Sequence, residues 1–345
     1  MIMKDIIIND TISIGYNKPC FIISEIGANH NRSLSMAKEL IDASCDAKAD
    51  AVKFQIYSAE NLYSRNTPRH SGYKEDLFSL IKKIETPREW LPELADYCKQ
   101  RNIIFFATPF DYEAVDELDK CSCLFKIASF EIVDLQLIKY VASKNKPIII
   151  STGLCIMEEI EDAVNACEEA GNDDVVLLQC ASMYPASPDI MNLKAMETMQ
   201  QAFGVHIGLS DHTPGIHISV AAAAIGARVI EKHVTLDRSL EGPDHPFAIE
   251  PYELAELVRQ IRDVESAIGD GHKRGPSEKE LEFYEKARRS IHAVTDISEG
   301  EIITNEMLCS KRPGYGIRTK FFDLVIGRKA KRNISADEWI TWEMI

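Results

Sequence analysis

From residue 20 to about 268 one unit recurs along the chain: a short apolar run, a polar turn, then a longer segment with apolar positions three and four residues apart. The first pattern is that of a buried strand and the second that of an amphipathic helix. The apolar runs fall at residues 21–26, 51–55, 103–107, 124–128, 147–151, 175–179, 205–209 and 229–233. They are apolar almost throughout, which suits parallel strands covered by helices, and eight such units are the number at which a (β/α)8 TIM barrel closes. The pattern therefore predicts an α/β barrel over residues 1–268. A doubly wound open sheet is the alternative, but no GxGxxG opens a first helix to support it.

The helical segments carry their own boundaries. A helix is expected at 157–170 with Gly171 as its stop, another at 88–100 opened by Pro87, and an eighth at 251–268. Residues 58–85, rich in Tyr, Arg, Asn and His, form an unusually long connection, which on a compact barrel predicts a functional loop. The repeat breaks at Gly269-Asp270-Gly271-His272-Lys273-Arg274-Gly275-Pro276, so residues 269–286 read as a linker. Residues 287–345 contain short β-type runs at 290–294 and 296–303 and turns at Gly314 and Gly316, and are expected to form a small separate β-rich module.

A length of 345 residues exceeds what one core usually holds, in keeping with a large and a small domain. The net charge of -15 argues against nucleic acid or a membrane surface as partner. An anionic substrate would need locally placed cations. Residues 287–345 hold 10 Lys/Arg and 8 Asp/Glu, a net +2 that leaves -17 on the rest and favours docking of the module on a barrel, its own or a partner's. Nine cysteines without CxxC spacing read as reduced thiols of a cytoplasmic protein. The N-terminus lacks a signal-type apolar stretch and no charge-free apolar run reaches about 18 residues, so a soluble chain is expected.

Catalytic groups of such barrels gather at the C-terminal ends of the strands. Here those ends carry Glu25, Lys53, Gln55, Thr108, Lys126, Ser129, Glu131, Ser151, Thr152, Gln179, Ser182, Tyr184, Asp211, His212, Glu231, Lys232 and His233. Lys53 and Lys126 interrupt otherwise apolar strands, and a buried ammonium is costly unless paired or solvated. Three readings stand: a structural ion pair with Glu25 or Glu131, a cradle with Thr108, Ser129 and Ser151 for a phosphate-bearing substrate, or a Schiff-base nucleophile. His212 and His233 end two successive strands. Each alone reads as a core histidine; together they suit a divalent ion acting as a Lewis acid with open positions, Mn2+, Mg2+ or Co2+. His30 is expected to cap the next helix, His206 and His217 to pack or face solvent, and Cys180 to serve as a small hydrophobe. An arginine in the turn Arg312-Pro313-Gly314-Tyr315-Gly316 could reach an active site from the small module.

Taken in order, Ser24-Glu25-Ile26-Gly27-Ala28-Asn29-His30, Ala51-Val52-Lys53-Phe54-Gln55, Ala107-Thr108-Pro109-Phe110, Phe125-Lys126-Ile127-Ala128-Ser129, Ile150-Ser151-Thr152-Gly153, Gly208-Leu209-Ser210-Asp211-His212-Thr213, Ile230-Glu231-Lys232-His233 and Gly242-Pro243-Asp244-His245 resemble the sialic acid synthase family across nearly the whole chain. Its members are phosphoenolpyruvate-dependent nonulosonate synthases. Lys311-Arg312-Pro313-Gly314 resembles the family's antifreeze-like (SAF) domain, which in relatives caps the other subunit's active site in a domain-swapped homodimer. The resemblance implies an N-acetylneuraminate synthase-type transferase that condenses phosphoenolpyruvate with the open-chain aldehyde of an N-acetylated hexosamine. It implies that His212 and His233 hold the metal, that Lys53, Lys126, Thr108, Ser129 and Ser151 bind phosphoenolpyruvate, that Tyr184 and Asp244 approach the sugar, and that Arg312 arrives from the partner subunit. Glu25 and Glu131 are the candidate bases for water. Ala128-Ser129-Phe130-Glu131 replaces the Gly-Ser-Gly-Glu of N-acetylneuraminate synthases and is closer to pseudaminate and spore-coat relatives, whereas Gly242-Pro243-Asp244-His245-Pro246-Phe247 is closer to the neuraminate and legionaminate branch. Ser182 stands where relatives often carry Asn or Thr. The sugar thus stays open, and a Schiff-base aldolase or an inert barrel carrying an ice- or carbohydrate-binding module are the readings from other classes.

Overall fold

A computed structural model of the chain describes residues 3–67 and 76–345, so residues 68–75 of the long connection lie outside the described residues. The chain divides into two compact units, Met1–Gly269 and Asp270–Ile345. In the first, an antiparallel pair, β1 (Ile6–Ile7) and β2 (Ser13–Ile14), precedes eight parallel strands. These are β3 (Phe21–Gly27), β4 (Ala51–Ile56), β5 (Ile104–Pro109), β6 (Phe125–Ile127), β7 (Ile148–Ser151), β8 (Val175–Cys180), β9 (His206–Asp211) and β10 (Val229–His233). They close in sequence order, with β10 pairing β3. The predicted (β/α)8 TIM barrel is the observed fold.

Local chemistry sets the helix starts. Asp111 accepts from Ala114 N at 2.8 Å and Asp134 from Leu137 N at 3.0 Å, each satisfying a backbone N–H that the first helical turn leaves free. One start differs from expectation. Residues 88–90 form a 3-10 turn and the α-helix is Leu91–Gln100. A helix opened by Pro87 would place Pro92 where an N–H is needed for the Arg88 carbonyl, whereas a start at Leu91 puts Pro92 in the first turn, where no N–H is needed.

The barrel interior has two layers because side chains alternate in and out along each strand. Toward the N-terminal ends the inward residues Phe21, Ile23, Ile104, Phe106, Ile149, Val176 and Leu178 form one apolar cluster, joined by Ile6, Ile8 and Ile14. The β1/β2 pair, which the repeat pattern did not reveal, is therefore the barrel's floor. His206 is buried there and bonds the Lys4 carbonyl through Nε2 at 2.8 Å. Gly208 keeps this layer narrow, since a Cβ would lie 2.2 Å from the Val229 carbonyl oxygen. A separate apolar shell lies between strands and helices, where Ile22, Val52, Phe54, Ile127, Ile150 and Ile207 meet the helical faces.

In the second unit, β11 (Ser290–Ala293) pairs antiparallel with β12 (Leu308–Lys311), and single bridges join Ile297 to Ile334 and Ile302 to Lys329. Ile291, Ile297, Ile303, Ile317, Ile334 and Ile340 make its small core. The stretch read as a linker includes a helical turn, Leu281–Lys286. Among the described residues no helix is long and apolar enough to cross a membrane.

Candidate active site

In the upper layer the inward positions turn polar. Lys53 on β4 is buried against two carboxylates, with Nζ 2.8 Å from Glu25 Oε2 on β3 and 3.5 Å from Glu231 Oε1 on β10. Thr108 Oγ1 lies 3.3 Å away, and Gln55 Nε2 donates to Glu25 Oε1 at 2.6 Å. Register explains the grouping, because Glu25 lies opposite both Lys53 and His233 on its neighbouring strands. Burial, countered by Lys53 and reinforced by the Glu231 charge, pushes the Glu25 carboxyl up to about 7. For Glu231 burial acts the same way, but Lys126, Lys53 and His212 together hold it below the usual carboxylate range. Lys53 is thus an ion-paired lysine, and its pKa is raised because Glu231 and Glu25 outweigh its burial.

Lys126 on β6 differs. Its Nζ donates to Ser151 Oγ at 2.6 Å and to the Ile127 carbonyl at 2.8 Å, and no carboxylate comes within 4.0 Å among the described residues. Burial lowers its pKa, with Glu231 only partly compensating. Glu131, in the following loop, does not pair with it; burial pushes that carboxyl up to about 7 and leaves its Oε2 without a hydrogen-bond partner. Gly153 after β7 lets the neighbouring loops converge beside this lysine. A Cβ there would lie 2.2 Å from Ser182 Oγ and 2.9 Å from Ser129 Oγ, and Gly153 N donates to Ser129 Oγ at 3.0 Å. Ser182 Oγ is buried and unpartnered. A buried cation without a counter-charge and an unused hydroxyl are the fittings of an anion cradle.

His212 and His233 stand with ring centroids 5.3 Å apart. His212 Nδ1 lies 2.9 Å from the Ala181 carbonyl, which fixes the proton on that nitrogen and leaves Nε2 as a lone-pair donor. Burial, with the charges of His212, Lys53, Lys232 and Lys126, holds His233 well below the ordinary histidine range and therefore neutral, and its Nδ1 has no hydrogen-bond partner. At His212 burial is outweighed by the Cys180 and Ala181 contacts, which raise its pKa, so this imidazole gives up a proton when the pair, so placed, takes up a divalent ion. Among the described residues no third His, Cys, Asp or Glu completes a cage, so most ligand positions would fall to water or substrate. Tyr184 covers the pair, its ring 4.3 Å from that of His212, and Phe247 lies 5.0 Å from His233. Asp244 Oδ2 approaches His233 Nδ1 to 3.6 Å, and burial pushes that carboxyl up to about 6. Gly27, at φ +53, makes room, since a Cβ would sit 3.2 Å from both Asp244 Oδ2 and Glu25 Oε1.

Every predicted site residue except Arg312 therefore lies on the barrel, at or beside its C-terminal mouth. Arg312 is an exposed residue of the second unit, just after β12. Two residues counted at the mouth do not face it. Lys232 Nζ bonds Asp211 Oδ2 at 2.9 Å, and Ser219 Oγ donates to the same oxygen at 2.6 Å, which is a buried ion pair against a helix. Strict alternation explains the correction, since Glu231 and His233 point inward and Lys232 between them cannot. The same rule would have marked Glu231 as a central residue. Cys180 is more than a small hydrophobe, for its Sγ lies 3.8 Å from His212 Nδ1. His30 does not cap the next helix, which is the task of Ser33; its Nε2 bonds Thr86 Oγ1 at 2.8 Å.

The Lys126 environment generates a test. A lysine whose pKa is lowered by folding destabilises the native state below its folded pKa, and the penalty disappears as pH rises through the unfolded value near 10.5. Lys126→Met should raise the unfolding free energy of the ligand-free protein by roughly 1–3 kcal/mol at neutral pH while abolishing activity. Urea denaturation at pH 7 and pH 10 checks this; a less stable variant at pH 7 would contradict an unpaired buried charge.

Comparison with known proteins identifies the two units. Residues 40–273 match the NeuB family and residues 288–345 the SAF domain. The chain is 42% identical to N,N'-diacetyllegionaminic acid synthase of Campylobacter jejuni over 94% of this chain and 99% of the relative. It is 37% identical to pseudaminic acid synthase of Helicobacter pylori, covering 93% and 96%. The crystal structure of N-acetylneuraminic acid (sialic acid) synthetase from Leptospira borgpetersenii, in complex with citrate, superposes with a TM-score of 0.74 at 37% identity, over 82% of this chain and 96% of that one. A family match spanning the barrel, joined to relatives that are nonulosonic acid synthases along nearly their full length, establishes that this chain belongs to the NeuB family.

Proposed function

We propose that the protein is a transferase that joins phosphoenolpyruvate to the open-chain aldehyde of an N-acetylated hexosamine, giving a nine-carbon 2-keto acid and phosphate. The observation that carries this reading is Lys126, a buried ammonium with no counter-carboxylate among the described residues, in the same mouth as the facing imidazoles of His212 and His233. Lys126 with Ser151, Ser129 and Ser182 takes the anionic end of phosphoenolpyruvate, and Lys53 with Thr108 borders it. A divalent ion on His212 and His233, Mn2+ first and Mg2+ or Co2+ as alternatives, would polarise the aldehyde oxygen. C3 of phosphoenolpyruvate bonds to the aldehyde carbon while the aldehyde oxygen takes up a proton, positive character develops at C2, and water adds there. The C2–O bond then breaks to release phosphate and leave the 2-keto group, one proton of the water replacing that taken by the aldehyde oxygen and the other passing to phosphate. Glu25 and Glu131, both pushed up to about 7, are poised to take the proton of that water near neutral pH. Tyr184 and Asp244 border the sugar.

The product is N-acetylneuraminate or a legionaminate, pseudaminate or spore-coat analogue. Phe130, Ser182 and the segment at 58–85 are where the acceptor is chosen; Phe130 is 56% exposed, free to face a sugar substituent. A cytoplasmic setting suits nine unpaired thiols. The lowered pKa of Lys126 favours one second reading, a Schiff-base aldolase. Product mass spectrometry with phosphoenolpyruvate and a panel of 2-acetamido and 2,4-diacetamido hexoses separates the two. The synthase releases phosphate, loses activity on chelation and regains it with Mn2+; the aldolase survives chelator and is trapped on a lysine by borohydride.

The functional unit we propose is a domain-swapped homodimer in which Arg312 reaches the partner's sugar. Mixed dimers of Arg312→Ala and Lys53→Ala chains should regain up to about a quarter to half of the wild-type rate, because one of the two sites in a heterodimer is then intact. Verified heterodimers without activity would exclude action in trans.

A further inference from the structure

The second unit holds a cavity of about 520 Å³ that the reaction does not use. Arg288, Arg289, Arg318 and Lys320 line it with Tyr284, Gly314 and Thr319, and among the described residues no acidic side chain contributes to its wall. None of the four cations has a carboxylate within 4.0 Å among the described residues. Elsewhere on the same unit Lys311 is paired with Asp337 and Arg332 with Glu338, whereas these four line one concavity together.

Tyr284 organises two of them. The Arg288 guanidinium stacks over its ring at 4.0 Å, and Arg318 Nη2 donates to its hydroxyl at 3.4 Å. Each planar fork is thereby held by a contact that leaves most of its N–H groups unused. Four like charges around one concavity repel one another, and an anion relieves that repulsion. Arginine forks suit a tetrahedral oxyanion because they bind two oxygens at once. We propose that this cavity is a second oxyanion site, bound by phosphate through Arg288 and Arg318 with Arg289 and Lys320 supplying the surrounding field. The phosphate is either the free ion or the group of a phosphate monoester.

The test uses the full-length protein in equilibrium dialysis against radiolabelled inorganic phosphate at low ionic strength. Lys126→Ala removes the barrel cradle, and that variant should still bind one equivalent per chain. Adding Arg288→Ala and Arg318→Ala should weaken this binding by roughly tenfold or more, since each substitution removes charge-assisted hydrogen bonds. Arg288→Lys with Arg318→Lys, which retains charge and loses the forks, should fall between. Competition by unlabelled phosphoenolpyruvate assigns the site to monoesters, and its failure assigns it to the free ion. If Lys126→Ala alone binds no phosphate, or if loss of both arginines leaves the isotherm unchanged with circular dichroism intact, the inference is wrong. Loss of the barrel class alone reports on the proposed reaction and not on this site.

Discussion

Charge placed inside a closed barrel is the constraint on which the rest of this structure depends. Lys53, Lys126, Glu25 and Glu231 are all buried at one level of the interior, and such groups are tolerated only where partners or a ligand replace water. Below them the interior is an apolar layer floored by Ile6, Ile8 and Ile14, and among the described residues its one buried histidine, His206, is turned to the Lys4 carbonyl. Relief comes from strand register, which sets Glu25 beside Lys53 and Glu231 beside Ser210. One cation is left over, and the chemistry of the mouth follows from it.

The surplus on Lys126 and the neutrality of His233 arise from the same field. Burial and the lysine charges disfavour protonation of His233, and the same lysine charges hold Glu231 ionised against its burial. The mouth is thereby divided into a cationic side, suited to a phosphate ester, and a side with the nitrogen donors of His212 and His233 walled by Tyr184 and Phe247, suited to a metal and a sugar. A condensation between an enol phosphate and an aldehyde needs both sides at once. Glu25, between them, is held near a pKa of about 7 by burial, which suits a group that must exchange a proton at neutral pH.

Much of this was legible along the chain because a barrel writes its plan in one dimension. The eight apolar runs became eight strands, and the lysines that interrupt two of them became the buried cations. What escaped has physical reasons. The β1/β2 floor consists of two-residue strands, too short to show a period, although Ile6, Ile8, Ile12 and Ile14 carry its apolar positions. Lys232 sits at a strand end yet faces away from the mouth, because the two-residue period sends Glu231 inward and Lys232 toward Asp211. The distinction between an ion-paired Lys53 and an unpaired Lys126 depends on distances across strands, which no local pattern contains. The resemblance to nonulosonate synthases rested on motifs at the strand ends, and the family match over residues 40–273 agrees with it.

The proposed reaction needs one barrel mouth to hold an anion on Lys126 and a metal ion on His212 and His233 together. Anomalous diffraction at the manganese edge, from crystals of the full-length protein soaked with Mn2+ and phosphoenolpyruvate, tests both halves in one experiment. A single manganese peak bonded to both imidazoles is expected, with an anionic group of phosphoenolpyruvate on Lys126 and Ser151. Manganese bound elsewhere, or phosphoenolpyruvate seated away from Lys126, would contradict it.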